Sequence, residues 1–182
     1  MLYSSIARAI YVAVALVLLP PQSFAKDFWW PYLASYESGP GSTRVNLGLK
    51  KQVPVSGYPY LVVTGPRYKA SGTEGFPGQA EIDRLNVLST KIVDAIAAVS
   101  PSIYAGTFTH QSEQLHYVYV KKRDGIESAL KIFYAKSCQG CKVYTNIKHD
   151  PTCSAYSNFL YPNPRTLEFY RQELRHIKLD EL

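Results

Sequence analysis

The sequence predicts an α+β fold: a ferredoxin-like βαββαβ antiparallel sheet with an added N-terminal β-hairpin and a C-terminal helix. Two observations carry that class. Apolar residues recur at spacings of three and four over 79–99, where Ile82, Leu85, Leu88, Ile92, Ile96 and Val99 form one helical face, and a second such stripe follows over 124–137. Around these stretches stand short β-branched and aromatic runs at 58–64, 103–109, 114–121 and 142–149, bounded by turn residues. The order is strand, helix, strand, strand, helix, strand. Two right-handed split crossovers of that kind put two helices on one face of a four-stranded antiparallel sheet.

The elements follow in chain order. Residues 1–25 read as a cleavable signal peptide: Arg8 precedes an unbroken apolar run at 10–19, Pro20 and Pro21 break it, and Ser23 and Ala25 supply the small residues a signal peptidase needs. Ten residues of helix cover about 15 Å, half a bilayer core of about 30 Å, which is too short for a stable span. Of 182 residues, 157 remain after cleavage as one domain over 26–182, and the net charge falls from +6 to +5 with the loss of Arg8. No block of like charges marks a nucleic-acid surface. The C-terminal Leu179-Asp180-Glu181-Leu182 lacks the first residue of a retrieval signal.

The aromatic segment 27–37 is β-prone, with Pro31 making it an edge or a broken strand, and 44–49 alternates as its hairpin partner. A loop rich in Gly and Pro runs over 65–78. Pro101 stops the first helix, a short turn at 110–113 joins two strands, and Asp124 with Glu127 has capping-box spacing before the second helix, whose inward residues are Ile126, Leu130 and Phe133. Asn163 followed by Pro164 is an N-cap and first-turn proline, opening a last helix striped by Leu167, Tyr170, Leu174 and Ile177.

Chemistry-bearing residues are few. Cys138 and Cys141 form a Cys-x-x-Cys pair that follows a helix, where the dipole has the wrong sign to stabilise a thiolate. In an exported chain the pair reads as a structural disulfide, with a redox role as a weaker alternative. Cys138, Cys141, His149 and Cys153 match no common zinc spacing, and a strand of eight residues, about 26 Å, separates Cys141 from His149. No metal or other cofactor is expected. The same strand carries the chain away from Cys141, so Cys153 is expected as a buried thiol. Glu74, Phe76 and Glu81 flank the glycine-rich loop as candidate binding residues; the loop has neither a P-loop Lys nor a dinucleotide fingerprint.

Aromatics are abundant, with 15 Tyr, 7 Phe and 2 Trp. If Leu61, Val63, Val118, Val120, Val143 and Ile147 face the helices, alternation sends Tyr60, Tyr117, Tyr119 and Tyr144 to the opposite face. Left open, that face would be an apolar patch larger than soluble monomers carry, so the terminal additions are expected to cover it.

Several segments together resemble the bacterial domain family DUF695: Asp27 to Trp30, the strand Arg44-Val45-Asn46-Leu47-Gly48-Leu49, Glu74-Gly75-Phe76-Pro77 leading to Glu81 and Leu85, Ala105-Gly106-Thr107-Phe108-Thr109, and Asp150-Pro151 followed by Tyr156 and Phe159-Leu160-Tyr161-Pro162. Cys153 stands where the resemblance leads one to expect Trp. It implies no activity, ligand or catalytic residue. The functional expectation is a non-enzymatic, monomeric binding module for protein or peptide in the bacterial periplasm or secreted, without nucleic acid or membrane span. The alternative is a hydrolase-type enzyme with a loop site near Glu74 and Glu81.

Overall fold

The computed structural model describes residues 27–174; residues 1–25, read above as an export signal, together with Ile177 and the C-terminal tetrapeptide, lie outside them. Six strands form one antiparallel sheet: β1 (Trp29–Tyr36), β2 (Gly39–Asn46), β3 (Tyr60–Pro66), β4 (Ser102–His110), β5 (Glu113–Val120) and β6 (Val143–His149), in the order β1-β2-β4-β5-β3-β6. Helices α1 (Gln79–Ala97) and α2 (Ile126–Ser137) lie on one face. A 3₁₀ turn (Leu47–Leu49), a π-helical turn (Tyr156–Leu160) and two short helices, α3 (Pro164–Phe169) and α4 (Arg171–Leu174), complete the elements among the described residues.

Local sequence accounts for most boundaries. Pro31 sits on the edge strand β1, where its missing N–H breaks no inner ladder. Gln111 and Ser112, with φ of 45° and 64°, turn β4 into β5 as a two-residue hairpin whose backbone twist matches the strands. At the register shift between Tyr104 and Gly106, a side chain on Gly106 would place its Cβ 2.8 Å from the Arg44 carbonyl oxygen, so only glycine lets β4 close on β2.

Several expectations change. The helix-facing layer is built from Leu88, Ile92 and Ile96 on α1, Ile126, Leu130 and Tyr134 on α2, and Val62, Val118 and Val120 from the sheet. Leu61 and Val63 point the other way, and Tyr60 packs on the helix side. The reason is that β3 is apolar on both faces, so its sequence contains no alternation to set the register. Phe133 is half-buried; Tyr134 takes the inward position. Asp124 does not cap α2: Gly125, at φ 81°, is the N-cap and makes no side-chain bond. The first helix ends at Ala97, leaving Ile82 and Val99 exposed at the ends of the stripe.

The second core lies on the other face. Tyr117 and Tyr119 are buried there, as the aromatic excess required, while Tyr144 on the edge strand β6 stays 43% exposed. The cover is the segment from Cys153 through Leu174 together with Leu47, Leu49, Val55 and Tyr58. The N-terminal hairpin does not cover this face; it lengthens the sheet beyond β4 and contributes Trp30 and Tyr32 to the same core. Asn163 caps α3 through Thr166 N–H at 2.9 Å, yet the helix breaks at Tyr170 instead of running on.

One polar path runs through this apolar layer. Asp150, 4% exposed, accepts hydrogen bonds from Tyr119 Oη (2.9 Å), the Ser154 N–H and hydroxyl (2.8 and 2.7 Å) and the Ala155 N–H (3.0 Å). Burial pushes its carboxyl up, but these donors outweigh burial and hold it below the usual carboxylate value. Tyr119 Oη in turn accepts from the Tyr156 N–H at 3.2 Å, and Tyr156 Oη donates to the Asn46 carbonyl at 2.9 Å. Asn46 Oδ1 accepts from the Phe28 and Gly48 N–H groups. Asp150→Ala should therefore lower unfolding free energy by about 2–3 kcal/mol in urea titrations at pH 7, because it strands several buried donors at once. A loss within 0.5 kcal/mol would contradict the role given to this carboxylate.

Candidate functional site

The lengthened sheet leaves one region of its helix-side face uncovered. α1 and α2 reach over β5, β3 and part of β4, whereas β1 and β2 extend past them. On β2 and β4 the side chains that alternation sends to this face are hydrophilic, Ser42 and Arg44 paired in register with Thr109 and Thr107, while β1 adds Trp29, Pro31 and Leu33 to it. No helix is packed directly over them. The result is a cleft of about 690 Å³ between this sheet wall and a helix wall carrying Asn86, Ser89, Thr90 and Asp94.

At its inner end a hydrogen-bonded chain joins the two walls. Ser89 Oγ donates to the Leu85 carbonyl at 2.8 Å and lies 3.4 Å from His116 Nε2. His116 Nδ1 is 3.0 Å from Tyr104 Oη, which also bonds Thr107 Oγ1. All groups are satisfied with the proton on Nε2: His116 donates to Ser89, Tyr104 donates to Nδ1, and Thr107 donates to Tyr104. His116 is fully buried, and burial pulls its pKa down to about 4, so the ring is neutral. Ser89 and His116 are thus near enough for nucleophilic chemistry, but the serine proton has the Leu85 carbonyl and Gln114 Oε1 as acceptors and the imidazole is a poor base.

Arg44 is exposed at the cleft, its guanidinium 4.8 Å from the Trp29 ring centroid. Trp29 packs on Tyr104 with centroids 4.9 Å apart. Burial raises the Tyr104 phenol pKa, opposed by its bond to Thr107 and by the nearby Arg44 charge. The cation therefore sits on an aromatic support at the edge of the polar floor.

The residues singled out from sequence lie elsewhere. Glu74 is exposed in the 65–78 loop, and Phe76 is half-buried in it. The loop is folded on itself by the Ala70–Pro77 bridge and the Ser71 N–H to Phe76 carbonyl bond, and is tied down through Gly75, whose carbonyl accepts from Tyr68 Oη at 2.7 Å and the Ser112 N–H at 3.1 Å. Glu81, in the first turn of α1, pairs with Arg84 at 2.6 Å. None of the three lines the cleft. Cys138 and Cys141 are joined by a disulfide just past α2, with Cys138 Sγ 3.6 Å from Arg84 Nη1. Cys153 is a separate buried thiol whose pKa is raised by burial. Among the described residues no group of His, Cys, Asp and Glu is placed to hold a metal ion, and no helix is long and apolar enough to cross a membrane.

The cleft escaped the sequence reading because its walls come from five elements, β1, β2, α1, β4 and β5, spread along the chain. A signal was present: Thr107 and Thr109 flank Phe108, and Ser42 and Arg44 flank Thr43, so each strand carries a hydrophilic side. That side marks a cleft only once β2 is known to pair with β4.

The neutral His116 makes stability pH-dependent. Its folded pKa lies below the unfolded value near 6.5, so its contribution is fully present above that value and is lost as pH falls to about 4. The full swing is about 3 kcal/mol by linkage, and none of it remains to be lost below about 4. Urea midpoints measured between pH 7 and 4 should fall for the wild type and flatten in His116→Gln. Equal slopes in the two proteins would refute the assignment.

A family model described as a family of unknown function, DUF695, matches residues 27–161. No curated protein and no solved structure matches the chain. The match takes in the sheet, both long helices and the turn that carries Tyr156, and the chain belongs to the DUF695 family.

Proposed function

We propose that this chain is an exported, non-enzymatic module that binds a protein or peptide in the bacterial periplasm or outside the cell, and that the partner enters the cleft between α1 and the β1-β2-β4 face. The carrying observation is the cleft itself, where an uncovered strand face, a row of hydrogen-bonding side chains and two charged groups converge. Such a lining suits the main-chain amides of an extended segment. The aromatic face, the other surface a partner would use, is occupied by the chain's own C-terminal segment. The disulfide fits an oxidising compartment.

The finer architecture belongs to the same proposal. Each long crossover spans one intervening strand: β3 and β4 enclose β5, and β5 and β6 enclose β3. That pattern supports a ferredoxin-like reading of the central four strands, with β1 and β2 added at one edge. The hydrolase alternative at Glu74 and Glu81 draws less support, since Glu81 is neutralised by Arg84 and Glu74 stands alone on the loop.

Two measurements test the reading. Protein isolated from the producing cells should have the mass of a chain lacking residues 1–25; a product retaining them would contradict export. Peptides selected from a soluble random library with both ends free should bind the wild type and lose affinity for Thr90→Trp, which fills the cleft from an exposed helix position, while keeping it for Lys131→Ala on α2. Selected peptides that bind all three proteins equally would place the site elsewhere.

A further inference from the structure

The cleft carries one cation and one anion on opposite walls. Arg44 projects from the sheet wall and Asp94 belongs to the helix wall. Among the described residues the ion pairs are Arg67–Glu113, Arg84–Glu81, Lys131–Glu127 and Arg171–Glu168, so neither cleft charge is neutralised by a protein partner. Arg44 is nonetheless oriented, because its guanidinium lies against Trp29, which rests on Tyr104. A planar fork held in place in this way keeps its N–H groups for a carboxylate, with little side-chain freedom left to lose on binding.

Charge complementarity selects the ligand. A phosphate or dicarboxylate would satisfy Arg44 and meet repulsion from Asp94; a diamine would do the reverse. A neutral sugar would leave both charges without a counterpart. A zwitterion satisfies both walls, and between them Asn86, Thr90, Thr109 and Gln114 offer donors and acceptors for amide groups. We infer that the cleft takes a zwitterion of the amino-acid class, a short peptide with free ends, its carboxylate on Arg44 and its ammonium on Asp94. This rests on the reading above that the cleft is the binding site.

The test titrates ¹⁵N-labelled protein with an equimolar pool of random tripeptides in three forms: free at both ends, amidated at the C-terminus and acetylated at the N-terminus. The side-chain amides of Asn86 and Gln114 and the Trp29 indole report occupancy of the cleft. The free-ended pool should shift these signals, and either cap should weaken binding at least about tenfold, the effect of losing one hydrogen bond to a charged group. Arg44→Gln should abolish the difference between free and amidated pools. Asp94→Asn should abolish the difference between free and acetylated pools. Both positions are exposed, and the same spectra show whether the variants keep the fold. Equal binding of capped and free pools at these signals would overturn the zwitterion inference and leave the cleft as the binding site. No shift at these signals with any pool would overturn the inference, and if library-selected peptides also bind away from the cleft, the site reading falls with it.

Discussion

The carboxylate of Asp150 ends one strand, starts the covering segment and takes a hydrogen bond from the middle of the sheet, all through the same two oxygens. Through Tyr119 and Tyr156 the path reaches Asn46, which receives the Phe28 and Gly48 N–H groups. Four stretches far apart in sequence are thereby fixed to one another inside an apolar layer. Polar groups in such a layer are costly unless all are paired, and here each has its partner. Arrangements that shift the covering segment by a residue would break several bonds together. Apolar packing across this core, Tyr117, Phe159 and Leu160 included, supplies the attraction, and the polar path selects one packing from many.

That constraint decides which surface is left for function. A sheet rich in tyrosine invites a reading as a binding platform, but the segment anchored at Asp150 occupies it. On the opposite face the helices cover only part of a sheet widened by β1 and β2, and the remainder combines polar side chains of β2 and β4 with Trp29, Pro31 and Leu33 of β1. The two halves of the molecule are thus complementary: one face is sealed by its own chain, and the other carries a cleft with a charge on each wall. The His116 chain at the inner end gives that cleft a rigid base, since every ring nitrogen and hydroxyl in it is engaged.

The α+β class was legible from two periodicities, and the stripe on α1 needed no structural knowledge: Leu85, Leu88, Ile92 and Ile96 are the buried positions. The disulfide and the isolated Cys153 also followed from chain direction and reach. What failed did so for local reasons. β3 is apolar on both sides, so its sequence does not set its register, and Leu61 and Val63 lie in the layer opposite to the one alternation suggests. Asp124 offered a cap that Gly125 pre-empted by turning the backbone left-handed one residue later. The hairpin was assigned to cover a face because its pairing with β4 depends on Gly106, a close approach that no pattern announces. The residues that carry the family resemblance turn out to include the polar path, Asn46, Asp150 and Tyr156 among them, which explains why they suggested no chemistry. The cleft was illegible for a different reason: Arg44 and Asp94 are 50 positions apart, and only the widened sheet brings them to one opening.

The central claim is that the aromatic face is a locked core and not a surface awaiting a partner. Amide hydrogen exchange followed by NMR tests it most directly, at the N–H groups of Ser154, Ala155 and Tyr156, which bond to Asp150 and Tyr119. The account predicts that these amides exchange only through global unfolding, as slowly as those of Val62 and Val118 in the central strands. Exchange of the covering segment through local opening, while the strands stay protected, would contradict it and return the tyrosine face to the list of binding surfaces.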